Sequence, residues 1–416
     1  MSRFVDTVTA GLRAQRSAAA GASPISAEIS VLSDQRGPNS LPVEQPNVQP
    51  NVQPNGHPVA SAAVASGIGP VDVKVHNAML ETVSAPIEVQ HTGPITTPEG
   101  AGVSIPALRR RLPDTDLSVY PFALGCSVFG WTADGDTSMR ILDRHRALGG
   151  NFLDTADSYA SGRSEVLLGT WMRSRRARDT TVVATKIGRN RDFPGLSPHS
   201  IVGAVHASLE RLGTDFIDLL FLHVDDKTVP LEESLGTIDA LMRAGLVRNL
   251  AASNFSAERL MEARVLAANG LPRFVALQTH YNLVHRAEFE STLSVVTRAQ
   301  GLAVMPYFAL AHGFLTGKYR VRADVAHDAR GHLIAPYLNR ASLRALAAVQ
   351  RIADARGVDP ATIALAWLSA RGMFAPVASV SAPEQLDAIM AAADIRLFRS
   401  EMHELDRASA KLNELP

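Results

Sequence analysis

Four side chains suited to proton transfer follow three short apolar runs of this 416-residue chain. Asp154 and Tyr159 follow the first run, Lys186 ends the second and His223 ends the third. A phenol with an ordinary pKa near 10 is a weak acid at neutral pH unless a nearby cation favours its phenolate. Lys186 can supply that cation, with Asp154 holding the ammonium group in place. His223 can donate a hydrogen bond to a carbonyl oxygen. The set predicts carbonyl reduction, because hydride addition places negative charge on an oxygen that then needs a proton.

Each of these residues alone has a simpler interpretation. A tyrosine in a loop is usually structural, and a lysine after a strand is usually solvated. A histidine beside an apolar strand is usually a hydrogen-bonded core residue, and Asp154 followed by Thr155 can cap the loop behind it. The functional interpretation depends on all four residues coming from three successive strands.

Short apolar runs alternate with helical patterns from Tyr120 onward, which is typical of a parallel sheet. The strand candidates are Phe122–Cys126, Asn151–Asp154, Thr181–Lys186, Phe216–His223, Val247–Ser253, Phe274–Gln278, Leu302–Tyr307 and Phe374–Ser379. The helix candidates are Ser138–Leu148, Ser164–Arg175, Ser200–Leu212, Leu231–Ala244, Ala257–Ala268, Glu288–Ala299 and Arg340–Ala355. Eight strands predict an α/β fold of the (β/α)8 TIM barrel type, whose active sites lie at the carboxyl ends of the strands. A doubly wound open sheet is the alternative, but no Gly-x-Gly-x-x-Gly turn follows any strand candidate.

From Tyr120 to about Leu412 the sequence resembles the aldo-keto reductase family. The string Asn151-Phe-Leu-Asp-Thr-Ala-Asp-Ser-Tyr159 is similar to the signature that contains the family's catalytic Asp and Tyr. Lys186 and His223 match its catalytic lysine and histidine. The resemblance implies NAD(P)H bound in an extended conformation at the barrel mouth, without a Rossmann motif, and a small-molecule carbonyl substrate.

The resemblance also implies which residues contact the cofactor and the substrate. Asn254 and Gln278 fall where the family binds the nicotinamide carboxamide, and they supply the donor and the acceptor that an amide requires. Tyr307 is placed like the ring that stacks on the nicotinamide. Lys318 lies in a glycine-containing loop that resembles the family's pyrophosphate loop. The full cofactor set is Gly125, Cys126, Ser253, Asn254, Gln278, Tyr307, Leu310, Lys318, Ser379, Ser381 and Gln385, and the substrate side has Phe129, Trp131, Phe308 and His312.

The segment Ser379–Leu386 resembles the part of the family that contacts the adenosine 2′-phosphate, with two departures. Ser379 replaces a family glycine, and Ser381 replaces a frequent Arg or Lys. Ser379, Ser381 and Gln385 retain groups that can hydrogen-bond a phosphate, and the helix expected next offers backbone N–H groups to an anion. We therefore expect NADP(H) in preference to NAD(H).

Residues 1–117 differ in composition from the rest of the chain. Phe4 is their only aromatic residue, and proline recurs throughout. So few large apolar groups do not offset an ordering entropy of about 1–2 kcal/mol per residue. We expect a mostly disordered extension over 1–117, followed by one barrel domain over 118–416.

A short amphipathic pattern near residues 3–16 is the one structured feature expected in this extension. Phe4, Val8 and Leu12 share one helical face. A docking peptide on a flexible tether has this pattern, so a docking partner is one interpretation. An extension without a selected role is the other.

Bulk composition excludes several classes of partner. Lys and Arg together number 41, and Asp and Glu together also number 41. The chain therefore has no overall electrostatic field that would indicate nucleic acid or an anionic membrane as a partner. No apolar run approaches the ~20 residues of a membrane span, and no secretory signal is recognisable. Cys126 is the sole cysteine, which excludes an internal disulfide and favours a reducing compartment. We expect a cytoplasmic protein.

Two classes of function remain. The first is a reductase that acts on an aldehyde, ketone or sugar carbonyl. The second is a nicotinamide-nucleotide-sensing regulatory subunit that keeps the same barrel and acts through a partner. The intact set of Asp154, Tyr159, Lys186 and His223 favours the first, and the long amino-terminal extension favours the second.

Overall fold

The computed structural model describes residues 109–412 except 327 and 329. The predicted docking peptide near 3–16 and most of the predicted extension lie outside these residues. The described residues form a nearly closed barrel of eight parallel strands surrounded by helices, which confirms the predicted (β/α)8 fold. None of their helices is long and apolar enough to cross a membrane.

Eight of the ten described strands occur where the short apolar runs predict them, with ends shifted by up to three residues, and the first two were not predicted. They are β1 (Arg110–Arg111), β2 (Ser118–Val119), β3 (Ala123–Gly125), β4 (Phe152–Asp154), β5 (Val182–Ile187), β6 (Ile217–Leu222), β7 (Val247–Ser253), β8 (Ala276–His280), β9 (Ala303–Tyr307) and β10 (Val377–Ala378). The barrel order is β10-β3-β4-β5-β6-β7-β8-β9, with every neighbouring pair parallel. No strand ladder joins β9 to β10, so the barrel has a gap between these two strands. Just before β10, the N–H of Phe374 donates to the carbonyl of Val304 in β9 at 2.8 Å, and this bond partly closes the gap.

The helices are α1 (Gly135–Ala147), α2 (Arg163–Arg175), α3 (Pro198–Leu212), α4 (Leu231–Arg243), α5 (Ala257–Ala268), α6 (Ser294–Ala299), α7 (Gly331–Ile334), α8 (Arg340–Arg356), α9 (Pro360–Ala370), α10 (Leu386–Met390) and α11 (Arg399–Ser409). Capping explains several of their starts: Ser197 and Ser256 accept hydrogen bonds from backbone N–H groups in the first turns of α3 and α5. The predicted helix Glu288–Ala299 is a π-helical turn, Phe289–Leu293, followed by the short α6.

Two layers of buried side chains follow from the alternation of residues along the strands. Phe152, Leu219 and Phe221 point into the barrel, where they form an inner cluster. Leu153 and Leu220 point outward into the layer between the strands and the helices. Helix α9 lies in that outer layer and is buried on nearly all sides.

A β-hairpin precedes the first strand of the barrel. β1 and β2 pair antiparallel, and Leu112, Leu117 and Val119 join the inner cluster beside Phe152, the first residue of β4. Two of these buried residues lie ahead of residue 118, where the barrel domain is predicted to begin. The sequence from Arg109 to Leu117 falls in the extension expected to be mostly disordered, but its two leucines pack in the barrel interior.

Two deletions test this boundary. Removing Met1–Glu99 is expected to leave the melting temperature unchanged, because the compositional argument assigns that stretch no role in the core. Extending the deletion through Val119 is expected to lower the melting temperature strongly, since each buried leucine contributes about 2–5 kcal/mol to the free energy of unfolding. Thermal unfolding of both proteins beside the full chain is the measurement. Equal melting temperatures for the two deletions would contradict the structural role of the hairpin.

Candidate active site

A buried ion pair joins two neighbouring strands at the carboxyl end of the barrel. Asp154 ends β4 and Lys186 lies in β5, and the Lys186 Nζ donates to Asp154 Oδ2 at 2.7 Å and to the carbonyl of Thr155 at 2.8 Å. Burial lowers the pKa of Lys186, but Asp154 and Tyr159 raise it by more, so its net shift is upward. The ammonium is therefore a fixed cation at the barrel mouth.

Tyr159 stands over this cation. The Lys186 Nζ donates to its hydroxyl oxygen at 3.3 Å, and the turn that follows contains two non-glycine residues at positive φ, Ala160 and Ser161. Burial raises the pKa of Tyr159 above 10, and Lys186 only partly opposes that rise. The sequence argument expected the cation to lower this pKa. The direction found instead keeps the phenol protonated, which is the form that a proton donor needs.

His223 follows β6 and faces the phenol. Its ring meets the Tyr159 ring edge to face, with centroids 6.1 Å apart. Burial, followed by Lys186 and Arg189, holds the pKa of His223 well below 6.5, so the imidazole is neutral. The buried Nδ1 makes no hydrogen bond with any described residue. A neutral imidazole still carries one N–H, and this proton can be donated to an oxygen beside Tyr159.

The predicted carboxamide-binding residues are also bonded to the catalytic candidates. Gln278 in β8 donates through Nε2 to Asp154 Oδ1 at 2.8 Å. Asn254 donates through Nδ2 to the carbonyl of His223 at 2.9 Å and to the Ser253 hydroxyl oxygen at 3.1 Å. The side-chain carbonyl of Gln278 and the O–H of Ser253 remain as an acceptor and a donor for an amide. Asn254 already uses its side chain to bond neighbouring residues, so it positions them.

Tyr307, at the end of β9, has one ring face covered. Its hydroxyl donates to Asn254 Oδ1 at 2.8 Å, and its ring stacks on His280 with centroids 5.4 Å apart. Phe308 contacts the same ring edge to face, with centroids 4.8 Å apart. His280 was not among the predicted site residues. It ends β8 two residues beyond Gln278, so both side chains lie on the same face of the strand, and this alternation could have identified His280 as a residue of the site.

The predicted 2′-phosphate segment forms a separate group. Ser381 donates through its backbone N–H to Gln385 Oε1 at 2.8 Å, and its hydroxyl contacts the same oxygen at 3.3 Å. Ser379 shares a hydrogen bond of 3.2 Å with Ser127. A Cβ on Gly125 would lie 2.6 Å from Ser379 Oγ, so a glycine at 125 is required by this close approach. Gln385 therefore shapes the turn, and Ser381 is exposed to solvent.

The remaining candidates differ in exposure. Phe129, which is predicted on the substrate side, is fully buried in the outer layer. Trp131 and Phe308 have exposed fractions of 58% and 44%, and the Phe308 ring contacts Tyr307 and His312. Cys126 is buried, and burial followed by Asp154 raises the pKa of its thiol well above 9.

Leu310 and Lys318 both belong to the loop after β9. Leu310 is nearly buried, and Lys318 is exposed with its Nζ over the Tyr319 ring at 4.5 Å. Burial of part of the side chain, followed by Arg330, lowers the pKa of Lys318.

The donor set at the mouth fits a nicotinamide nucleotide and gives no indication of a metal. The Gln278 side-chain carbonyl, the Ser253 hydroxyl and the Tyr307 ring belong to the neighbouring strands β8, β7 and β9. Among the described residues, no group of three or more His, Cys, Asp or Glu side chains is arranged to hold a metal ion.

Comparison with known proteins gives consistent matches. The sequence model of the Aldo/keto reductase family matches residues 121–410. Norsolorinic acid reductase stcV of Emericella nidulans is 32% identical over 313 residues, which cover 71% of this chain and 79% of that protein. Protein tas of Escherichia coli K12 is 32% identical over 295 residues, covering 62% of this chain and 84% of its own. Versiconal hemiacetal acetate reductase of Aspergillus parasiticus is 26% identical over 328 residues, which cover 71% of this chain and 95% of that protein.

The buried ion pair is testable through stability. Lys186→Met leaves Asp154 buried without its cation, and breaking a buried pair typically costs about 3–5 kcal/mol. We expect that loss in the free energy of unfolding from urea titration, with part of it recovered when Asp154→Asn is added. The control is Arg175→Met, which breaks an exposed pair with Asp143 and should change the free energy of unfolding very little, because solvent screens the pair. Similar losses for the two single variants would contradict the role given to the buried pair.

Proposed function

Because the chain belongs to the aldo/keto reductase family, we propose that it transfers hydride from NADPH to the carbonyl carbon of an aldehyde, ketone or sugar. The observation that carries the proposal is the bonded set at the mouth, in which a protonated phenol lies between a buried ammonium and a neutral imidazole. A structural role alone does not require a phenol, a cation and an unpaired imidazole nitrogen at one point.

Tyr159 is the proton donor in this mechanism. A nicotinamide nucleotide held at this site would supply the hydride, and the carbonyl oxygen would gain negative charge as the hydride arrives. Tyr159 gives its hydroxyl proton to that oxygen, so the alcohol forms without a free alkoxide. Its raised pKa keeps the proton in place until that charge develops.

Lys186 and Asp154 act through Tyr159. The ammonium 3.3 Å from the phenol oxygen stabilises the phenolate that proton transfer creates. Asp154 and the Thr155 carbonyl hold the ammonium toward that oxygen and away from the carbonyl substrate.

His223 orients the carbonyl. Since its imidazole is neutral, it donates one hydrogen bond and does not compete with Tyr159 as a strong acid. Asn254 fixes the backbone carbonyl of His223 and thereby connects this group to Tyr307, where the nicotinamide ring is proposed to stack.

Two of the similar proteins carry the word reductase in their names. This supports a catalytic function in preference to the regulatory alternative. Activity of the purified chain toward a panel of aldehydes and ketones, followed by NADPH oxidation at 340 nm, separates the two functions.

Tyr159→Phe tests the proton donor. The change removes one hydroxyl and keeps the ring, so NADPH affinity is expected to stay near normal while kcat falls by about 10²–10⁴. The control is Tyr120→Phe, which removes a hydroxyl that donates to the carbonyl of Met390 and should leave kcat unchanged. Near-normal turnover in Tyr159→Phe would refute the assignment.

The second test concerns the nucleotide. We propose that Ser379, Ser381 and neighbouring backbone N–H groups accommodate the 2′-phosphate, so NADPH should bind more tightly than NADH. Ser381→Arg should increase that preference, because a guanidinium binds phosphate bidentately, and high salt should reduce the gain. The control is Ser400→Arg on the exposed start of α11. Equal Kd values for both nucleotides, unchanged by Ser381→Arg, would exclude this segment as the phosphate site.

A further inference from the structure

Asp157 is a fully buried carboxyl in the segment that carries Tyr159. Neither of its side-chain oxygens makes a hydrogen bond with a described residue. Its backbone is tightly held: the N–H of Asp157 donates to the carbonyl of Lys186 at 3.0 Å, and Asn190 Nδ2 donates to the carbonyl of Asp157 at 2.7 Å. Buried carboxyl groups normally have hydrogen-bond partners, so this one calls for a physical explanation.

The side chain of Asp157 lies on the outer side of the strands. The segment continues the parallel ladder of β4 with β5, since Thr155 N–H donates to the carbonyl of Ala184 just as Asp157 N–H donates to that of Lys186. Side chains alternate along such a segment. Thr155 contacts Ser164 of α2, so Asp157 faces the same helix layer, opposite to the Lys186 ammonium.

That layer contains a second buried acid and one cation. Glu165 of α2 is fully buried; it accepts from the Thr185 hydroxyl at 2.6 Å and from Arg211 Nε of α3 at 2.7 Å. Burial, followed by Glu165, raises the pKa of Asp157 to about 7, although Arg211 opposes the rise, as do the backbone N–H groups of Gly188 and Ser158, which lie near the carboxyl without meeting hydrogen-bond geometry. The Arg211 guanidinium is bonded to Glu165, and its charge also acts on Asp157.

Arg211 also touches the turn of Tyr159. A Cβ on Gly162, the residue before α2, would lie 2.8 Å from Arg211 Cδ. Gly162 has a φ of 88° and ends the strained turn that begins at Tyr159. The stem of Arg211 therefore packs against this turn, so the position of the guanidinium and the position of the turn are linked.

We propose that Asp157 is a positioning residue whose neutral carboxyl leaves Arg211 on Glu165 and keeps the Tyr159 turn in place. When Asp157 ionises, it competes with Glu165 for the single guanidinium and displaces the proton donor. The facing charged groups are Glu165 from α2 and Arg211 from α3; Lys186 of β5 lies on the other side and is neutralised by Asp154. The effect on turnover rests on the proposed function, whereas the effect on stability does not.

The direction of the pH dependence follows from proton counting. Between the ordinary Asp pKa of 3.8 and the folded value of about 7, the folded chain binds the extra proton. The stability of the wild type therefore falls as pH rises through that window, and this contribution is constant above it. The pH dependence of turnover is set only by the pKa of Asp157 in the folded chain, so turnover should fall between pH 6 and pH 8.

Asp157→Asn tests the proposal, because the amide has nearly the same shape and cannot ionise. Wild-type kcat is expected to fall about tenfold from pH 6 to pH 8, as for one group of pKa near 7 with an active protonated form. The Asn variant should match the wild type at pH 6 and lose this fall. The control Asp192→Asn makes the same change at an exposed site in the next loop and should retain it. An unchanged fall in Asp157→Asn would overturn the proposal.

Glu165→Gln gives a second, independent measurement. Removing the like charge makes Arg211 available to Asp157, so both the kcat midpoint and the upper limit of the stability window should move to lower pH. A purely structural role for Asp157 predicts the shift in stability but none in the kcat midpoint. Urea unfolding from pH 4 to pH 8 measures the window without any carbonyl substrate. Identical windows for the wild type and Glu165→Gln would refute the coupling of Asp157 to Glu165 and Arg211 and with it the proposal, and an unmoved kcat midpoint would refute the positioning role.

Discussion

The ion pair between Lys186 and Asp154 is the interaction on which the rest of the mouth depends. Two charges buried in a barrel lose several kcal/mol of hydration each, and the loss is offset only when every donor and acceptor has a partner. Here the ammonium has Asp154, the Thr155 carbonyl and the Tyr159 oxygen, and Gln278 satisfies the second carboxylate oxygen. These partners come from different strand ends, so the barrel must close before the pair is stable.

This requirement explains why other groups at the mouth are neutral. With one compensated pair in a poorly hydrated space, a further charge would have no partner. Burial accordingly keeps Tyr159 protonated and His223 unprotonated. In the proposed mechanism, proton transfer then moves a single charge onto the phenol oxygen, next to the cation that is already in place. The electrostatic arrangement is thus complete before a substrate arrives, which is the condition under which fixed charges are most effective in catalysis.

The sequence predicted the barrel and the grouping of Asp154, Tyr159, Lys186 and His223, because strand ends are set by local patterns and parallel strands align those ends. It did not predict α9, because a helix apolar on nearly all sides has no amphipathic period. It did not predict that Leu112 and Leu117 pack in the barrel interior, since two leucines in a charged run give no local signal. The bond from Gln278 to Asp154 joins residues 124 positions apart and follows only from barrel closure.

The exposed ring of Trp131 has an optical consequence. The chain contains three tryptophans, and the other two, Trp171 and Trp367, are almost fully buried. Indole emission depends on solvent contact, so the red edge of the fluorescence spectrum and its quenching by aqueous iodide belong to the indole beside the mouth. The native chain therefore carries a reporter at the entrance of its own site, and events there can be followed without an attached dye.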